Sequence, residues 1–536
     1  MSAARTRPDG TATPAGEWHG GECLIAVDQG TTSTRAIAHD LAGRQIAVAQ
    51  LEHDQILPRP GWVQQSAAQI WGNTRAVLIT VMERLAERGR PRPLAVGITD
   101  QRETTVLWDP TTGVPVHDAI VWQDTRTQPF VDALADRVGV DALRRTTGLP
   151  LHPYFSATKI AWLLEHVDGA ADAARAGRLL AGTMDTWVLW NLTGGARGRR
   201  TVHATDVTNA SRTLLFDITR LDWDDRALDL FGVPRALLPA VHPSVHAYGR
   251  VDARAAGLPG VLDGVPVTGV IGDQQSAALG QGATRPGDAK NTYGTGSFLL
   301  VNTGDRPVFG RSAAGDDGPD AGAPAGGLLT TIAFRQEGSP AAYALEGSIP
   351  VTGSLVQWLR DGLGLIDHAA DVEALARTVP DAAGVTIVPA FSGLYAPWWR
   401  PDARGVITGL TRYVTRGHLA RAALEAIAHQ CADVIEASGL EIAELRVDGG
   451  ASRNDLLMQI QADLLGVPVQ RLDTAETTAL GAACAAGIGA GVWRDVDETR
   501  RLTVLGDRFE PAIDDVARRA ARDRWRDAVP RSLGLA

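Results

Sequence analysis

The groups able to do chemistry in this chain sit in a few short polar turns, each at the end of an apolar run. In Gly269–Gly282, GVIGDQQSAALGQG, a lone carboxylate, Asp273, follows an apolar stretch and opens a glycine-broken helical segment. Gly272 just before it lets backbone approach a ligand that a Cβ would block. Asp273 then either caps the helix Gln274–Leu279 or points, with Gln274, at a ligand held between two halves of the chain. A second turn, DQGTTSTR (Asp28–Arg35), places an acid at a strand end, then a glycine, four hydroxyl residues and an arginine. Successive N–H groups of such a turn form a concave anion site, and the hydroxyls add donors. Asp28 at its edge suits hydrated Mg²⁺, which keeps its waters and takes one or two carboxylates beside phosphate oxygens. A plain hairpin with Thr-rich strands is the alternative reading.

TDQRETT (Thr99–Thr105) sets Arg102 beside Glu103. Neighbours on a regular strand point to opposite faces, so both serve one ligand only if the strand has already ended in a turn. Together they offer donors and acceptors to a small polyhydroxylated molecule, and a surface ion pair is the alternative. Trp122, in AIVWQDTRT, is either core or a flat wall against a carbon skeleton. Tyr154, in HPYFSATK, follows a proline and carries a phenol that both donates and accepts. Asp185–Trp187 and TNASRT (Thr208–Thr213) read as strand and loop with no chemistry assigned.

The second half repeats the opening logic in shape. Ala289–Asn302 carries a glycine-punctuated turn, YGTGS, before an apolar strand. In the helical stretch Thr352–Leu363, Gly353 and Gln357 are four apart on one face. DGGASRND (Asp448–Asp455) puts paired glycines between a strand and a helix, where a flat base or sugar can lie on bare backbone with Asn454 at its edge.

These turns need elements to carry them. Cys23–Asp28, Arg35–His39 and Gln45–Gln50 read as a β-meander. Ser66–Arg88, with Ile70, Val77, Leu78, Val81 and Leu85 at helical spacing behind a cap-like serine, reads as an amphipathic helix over that sheet. Leu94–Thr99 and Val265–Ile271 are buried strands, and Gly417–Ala437 is a long helix. At 536 residues the chain exceeds one core. Its net charge of −10, with no basic run interleaved with aromatics, opposes nucleic acid and anionic membrane as partners. Cys23, Cys431 and Cys484 lie far apart with no metal-type spacing, which points to reduced thiols and a cytoplasmic location. Residues 1–21 read as a disordered tail without a signal sequence. The Gly/Ala/Asp/Pro-rich stretch Thr303–Gly326 reads as a flexible loop. Thr477–Trp493 is Ala/Gly-rich but too short to span a membrane, and reads as a close-packed helix.

Taken together, DQGTTSTR, DQRETT, AIVWQDTRT, PYFSATK, GDQQSAALGQ, KNTYGTGSF and VDGGASRN, in this order from about Ile25 to the C-terminal helix, resemble the FGGY carbohydrate kinase family, and within it the members that phosphorylate glycerol. The resemblance implies an α/β fold of two ribonuclease H-like domains, of the actin and hexokinase type, around a central cleft. Residues 22–281 would bind glycerol and phosphate, and residues 282–536 the nucleotide. ATP and glycerol would give ADP and sn-glycerol 3-phosphate with Mg²⁺ held at Asp28 and Asp273. By position, Thr31, Thr32, Ser33 and Arg35 would contact the phosphates, and Thr295, Gly353, Gln357, Gly450 and Asn454 would complete the nucleotide site. Arg102, Glu103, Tyr154, Asp273 and Gln274 would bind glycerol's hydroxyls, Trp122 and Phe298 would pack on its carbons, and Asp273 would be the catalytic base. The resemblance is compatible with a homodimer or homotetramer. Where some relatives carry a phosphate-accepting histidine, Val251–Asp263 has none, and no glycine-rich sugar-bisphosphate loop is recognisable. Another polyol or sugar kinase, acting on xylulose or erythritol, and a non-catalytic nucleotide and polyol sensor are the competing readings.

Overall fold

The computed structural model describes residues 21–89, 92–309, 327–474 and 476–536. The N-terminal stretch 1–20 and most of Thr303–Gly326 lie outside the described residues, and so do the expectations made for them.

The first half is built on a six-stranded sheet. Its strands are β1 (Glu22–Gln29), β2 (Ser33–Asp40), β3 (Gln45–Glu52), β4 (Arg92–Asp100), β5 (Val245–Arg250) and β6 (Pro266–Gly272), in the spatial order β5–β6–β4–β1–β2–β3. The meander β1–β2–β3 is antiparallel, as expected, whereas β4 and β6 join β1 in parallel. A second, seven-stranded sheet comprises β7 (Ala289–Tyr293), β8 (Ser297–Gly304), β9 (Leu329–Phe334), β10 (Ala342–Ile349), β11 (Leu445–Asp448), β12 (Val469–Leu472) and β13 (Leu505–Phe509), ordered β9–β10–β8–β7–β11–β12–β13. Here too an antiparallel run, β7–β8–β10, continues through β11 and β12 in parallel. The repeat legible in the turns is thus a repeat of topology.

Parallel strands need crossovers that cover a face. Helix α1 (Ala67–Glu87) supplies one. Ser66 caps it by accepting from the Gln69 N–H, and Ile70, Val77, Leu78, Val81 and Leu85 are buried on the sheet. Helix α2 (Asp273–Gly280) follows β6 directly. In the second half, α3 (Gly353–Asp361), α4 (Arg416–Ser438) and α5 (Asp455–Leu465) surround a core centred on Leu299, Leu345, Leu355, Ala423, Leu424 and Val447.

The Ala/Gly-rich run becomes α6 (Thr477–Gly489), and its composition has a geometric cause. It crosses back onto the first sheet so tightly that a Cβ on Gly97 would stand 2.1 Å from the Ala482 carbonyl oxygen, and one on Gly481 1.8 Å from that of Ser276. The Thr268 hydroxyl donates to the Ala486 carbonyl across the same contact at 2.8 Å. A chain segment late in sequence thereby locks the two halves together at α2 and α6. Among the described residues, no helix is long and apolar enough to cross a membrane.

Candidate active site

The parallel strands β1, β4 and β6 end at one edge of the first sheet. Asp28 is paired with Thr99, and Gly272 with Asp100, so the carboxylates of Asp28, Asp100 and Asp273 leave the same edge from adjacent strands. In open α/β sheets ligands bind at such carboxyl ends. Asp273 is not the helix cap; that position belongs to Gly272. Its Oδ1 accepts from its neighbour's N–H, Gln274 N, at 2.7 Å and meets Arg102 Nε at 3.0 Å, and the side chain remains 28% exposed. Burial raises its carboxyl above the ordinary range, against the pull of Arg102 and Lys290. Gly272 also serves a different end from the one expected. A Cβ there would collide with Arg102 Cδ at 2.6 Å, so the missing side chain makes room for the guanidinium stem rather than for a ligand.

Asp28 is buried, and burial pushes its carboxyl up to about 7, with Arg35 lowering it and Glu476 and Asp273 raising it. The turn beyond it is tight, the Gly30 N–H reaching the Ser33 carbonyl at 2.9 Å. Gln65 Nε2 and His53 Nε2 hold the Thr31 carbonyl at 2.6 and 2.9 Å. The Thr31 hydroxyl accepts from Trp122 Nε1 at 3.0 Å. Thr32 is exposed, whereas Ser33 is buried with its hydroxyl accepting from Gln50. Arg35 reaches Glu476 of the other half at 2.5 Å and stands 4.0 Å from Asp28.

Arg102 and Glu103 follow the end of β4, and Glu103 adopts φ +62°, so both face one site. They are not the surface ion pair of the alternative reading. Both are buried, and each pairs elsewhere. Arg102 binds Glu346 through two nitrogens, at 2.6 and 3.1 Å, and Gln275 Oε1 at 3.1 Å. Glu103 takes Arg212 Nε at 2.7 Å, and Arg212 Nη2 returns to Glu346 at 3.1 Å. Arg212 lies in TNASRT, to which the sequence assigned no chemistry, and Glu346 lies inside the apolar strand β10. Neither position carries a local signal beyond a charge in an otherwise buried segment. Above this network the rings of Tyr154 and Trp122 meet edge to face at 5.5 Å, and Trp122 meets Phe298 of the second half at 6.1 Å. Gln274 is buried, with its Oε1 accepting from Lys290 Nζ at 2.5 Å.

Across from this box lie the second sheet's own turns. Thr295 is exposed, and its carbonyl accepts from Thr352 N and Ser354 N at 3.0 and 3.1 Å. Gly353 donates to the Gly294 carbonyl, and a Cβ on it would sit 2.7 Å from that oxygen. Gln357, one turn further along α3, is exposed. Since β7 and β11 pair Thr292 with Asp448, the Gly449–Gly450 turn leaves the same edge. Gly449 abuts the Tyr293 carbonyl, while nothing lies within 4 Å of the place where a Gly450 Cβ would be. Asn454 also has a structural task, its oxygen capping α5 by accepting from Leu457 N at 2.8 Å. Its amide NH₂ and the oxygen's second lone pair are left to face a ligand.

The site thus joins a tight hydroxyl-rich turn, carboxylates on adjacent strand ends and a small box of polar and aromatic groups with an open glycine turn opposite. Models of the FGGY family of carbohydrate kinases match the chain twice, the N-terminal domain over residues 23–280 and the C-terminal domain over residues 289–490. The chain belongs to this family. Glycerol kinase of Clavibacter michiganensis subsp. michiganensis is 53% identical over 514 residues, covering 95% of this chain and 97% of that protein. Glycerol kinase of Methylorubrum extorquens is 54% identical over 519 residues, covering 96% and 98%. Among solved structures, Plasmodium falciparum glycerol kinase with ADP superposes with a TM-score of 0.88 at 35% identity, over 96% of this chain and 99% of that one. The FGGY fold accounts for the two similar sheets with their strand ends facing one cleft.

Proposed function

We propose that this FGGY kinase transfers the γ-phosphoryl group of ATP to glycerol, giving ADP and sn-glycerol 3-phosphate and so feeding glycerol catabolism. The observation that carries the reading is the contact of Arg102 with Asp273 under the Trp122–Tyr154–Phe298 box. It surrounds a few carbons with aromatic faces and their hydroxyls with charged and amide groups. The names of the relatives at 53 and 54% identity support the same substrate. Three free, buried cysteines fit a reducing cytosol.

In this reading Asp273 accepts the proton of the attacking hydroxyl and aligns that oxygen. Arg102 fixes the carboxylate through Nε, while Glu103, Tyr154 and Gln274 hold the remaining hydroxyls, with Trp122 and Phe298 against the carbon chain. Thr31, Thr32, Ser33 and Arg35 line the phosphate turn. Thr295, Gly353, Gln357, Gly450 and the amide of Asn454 line the nucleotide side, residues 22–281 supplying the first set and 282–536 the second. Phosphoryl transfer depends mostly on positioning and charge stabilisation, which is what these groups provide.

Mg²⁺ fits the residues present. Asp28 is a buried carboxylate whose pKa burial raises in spite of Arg35 4.0 Å away, and the negative charges of Glu476 and Asp273 raise it further, so the site favours an added cation. Two carboxylates with phosphate oxygens and water suffice for this ion. When bound, it would neutralise charge on the phosphate oxygens.

The test is ATP-dependent product formation across a panel of acceptors. A site that hydrogen-bonds each hydroxyl should favour glycerol over propane-1,2-diol by up to about 10⁴ in kcat/KM. Comparable turnover of the diol, or of a pentulose, would overturn glycerol as the substrate.

A further inference from the structure

Lys290 is a cation that neither the phosphate turn nor the polyol box accounts for. It lies on β7, fully buried, at a cost that buried ammonium groups rarely bear without a purpose. Its Nζ donates to Gln274 Oε1 at 2.5 Å and to the Thr292 hydroxyl at 3.2 Å. Asp273, Asp448 and Glu346 face it with negative charge, and Arg102 with positive. The bond to Gln274 runs from the second sheet to the first turn of α2.

An ammonium has donors only, so whichever end of the amide meets Lys290 must be the oxygen. The polarity of Gln274 is therefore set by chemistry, not by the placement of two atoms of similar size. The other end, Nε2, makes no hydrogen bond to protein among the described residues, and it is not among the enclosed polar atoms that lack a partner. It is free to donate toward the cleft beside Asp273. We propose that Lys290 is a positioning residue for the acceptor substrate, holding the Gln274 carbonyl inward so that its NH₂ donates to a hydroxyl oxygen of the polyol. The assignment rests on the functional reading above and gives Gln274 one role, that of donor.

The test compares glycerol KM, MgATP KM and kcat for wild type, Lys290→Met, Gln274→Ala and the double variant. Loss of one neutral hydrogen bond should raise glycerol KM about fivefold to tenfold in each single variant, with MgATP KM little changed in both and kcat little changed in Gln274→Ala. Because both substitutions remove the same interaction, the double variant should be no worse than Gln274→Ala. Additive effects, or a rise confined to MgATP KM, would overturn the proposal. Gln274→Glu provides a check that leaves Lys290 in place, since it keeps an acceptor for the ammonium and removes the donor from the cleft. It should raise glycerol KM as far as Gln274→Ala does, and an unchanged KM would overturn the donor assignment. Wild-type turnover with additive variants strikes Lys290 alone, whereas no wild-type turnover of glycerol overturns both readings.

Discussion

Arg102 grips Glu346 with two nitrogens, Nη1 to Oε2 at 2.6 Å and Nη2 to Oε1 at 3.1 Å, and so ties the end of β4 to the middle of β10 in the other half of the chain. Both side chains are almost fully buried. Burial alone would raise the Glu346 carboxyl, yet Arg102 and Arg212 together hold it down at about 2. The pair keeps Arg102 Nε aimed at Asp273. Glu346→Gln leaves two buried guanidiniums short of an anion, and breaking a buried pair in this way costs about 3–5 kcal/mol. The expected result is lower stability in urea unfolding together with a fall in kcat/KM for glycerol. A variant as stable and as active as wild type would deny the pair its role.

Asp28 gives a stability profile with a definite sign. Burial pushes its carboxyl up to about 7, while an aspartate in the unfolded chain titrates near about 3.9. Between these values the unfolded chain has released a proton that the folded protein still holds. The contribution of this group to stability therefore falls as pH rises from about 4 to about 7 and is constant beyond. Asp28→Asn removes the cost. In scanning calorimetry the variant should melt with wild type at pH 4 and above it at pH 8, while its kinase activity is lost. Parallel melting curves across this range would contradict the shift.

Gly353→Ala addresses the nucleotide side. The added methyl would stand 2.7 Å from the Gly294 carbonyl oxygen, so the Gly294–Thr295 turn has to move. The expected effect is a rise of about tenfold in KM for MgATP, the order of one lost good contact, with glycerol KM near wild type. Equal effects on both substrates would place Gly353 outside the nucleotide site.

Much of this arrangement was legible in the sequence, because the local signals were strong. Apolar runs ending in DQGTTST, DQRETT and GDQQ fixed where strands stop, and Ser66 with its helical stripe fixed α1. What escaped was non-local. Arg212 and Glu346 gain their partners only when segments more than a hundred residues apart meet. The purpose of Gly272, clearance for the Arg102 stem, depends on the same meeting. Asn454 was legible as a polar group at a glycine turn, but its second task as cap of the helix that starts there was not. The fold of α6 back onto the first sheet is written only as small residues, a composition that says close packing without saying against what.

The remaining prediction concerns Asp273 itself. Its carboxylate lies 3.0 Å from Arg102 Nε and accepts the Gln274 N–H, with part of its surface open to the cleft. Burial raises its carboxyl, and Arg102 and Lys290 oppose that rise, so the group is left more basic than a surface aspartate. A base of this kind matches its task, since proton acceptance is most effective when the acceptor's acidity lies near the working pH. Asparagine preserves the shape and can accept a hydrogen bond, but it cannot take the proton. Loss of general base catalysis alone costs about 10² to 10⁴ in kcat. Glycerol affinity should fall far less, because Arg102, Glu103 and Gln274 remain. The decisive comparison is kcat by coupled assay beside glycerol affinity by calorimetry, for wild type and Asp273→Asn. Retention of more than about a tenth of kcat would remove Asp273 from the role of base. Equal collapse of binding and turnover would make it a residue that shapes the site or holds the metal, and the proton acceptor would then be sought at Asp28 or Asp100, the other carboxylates on the same edge of the sheet.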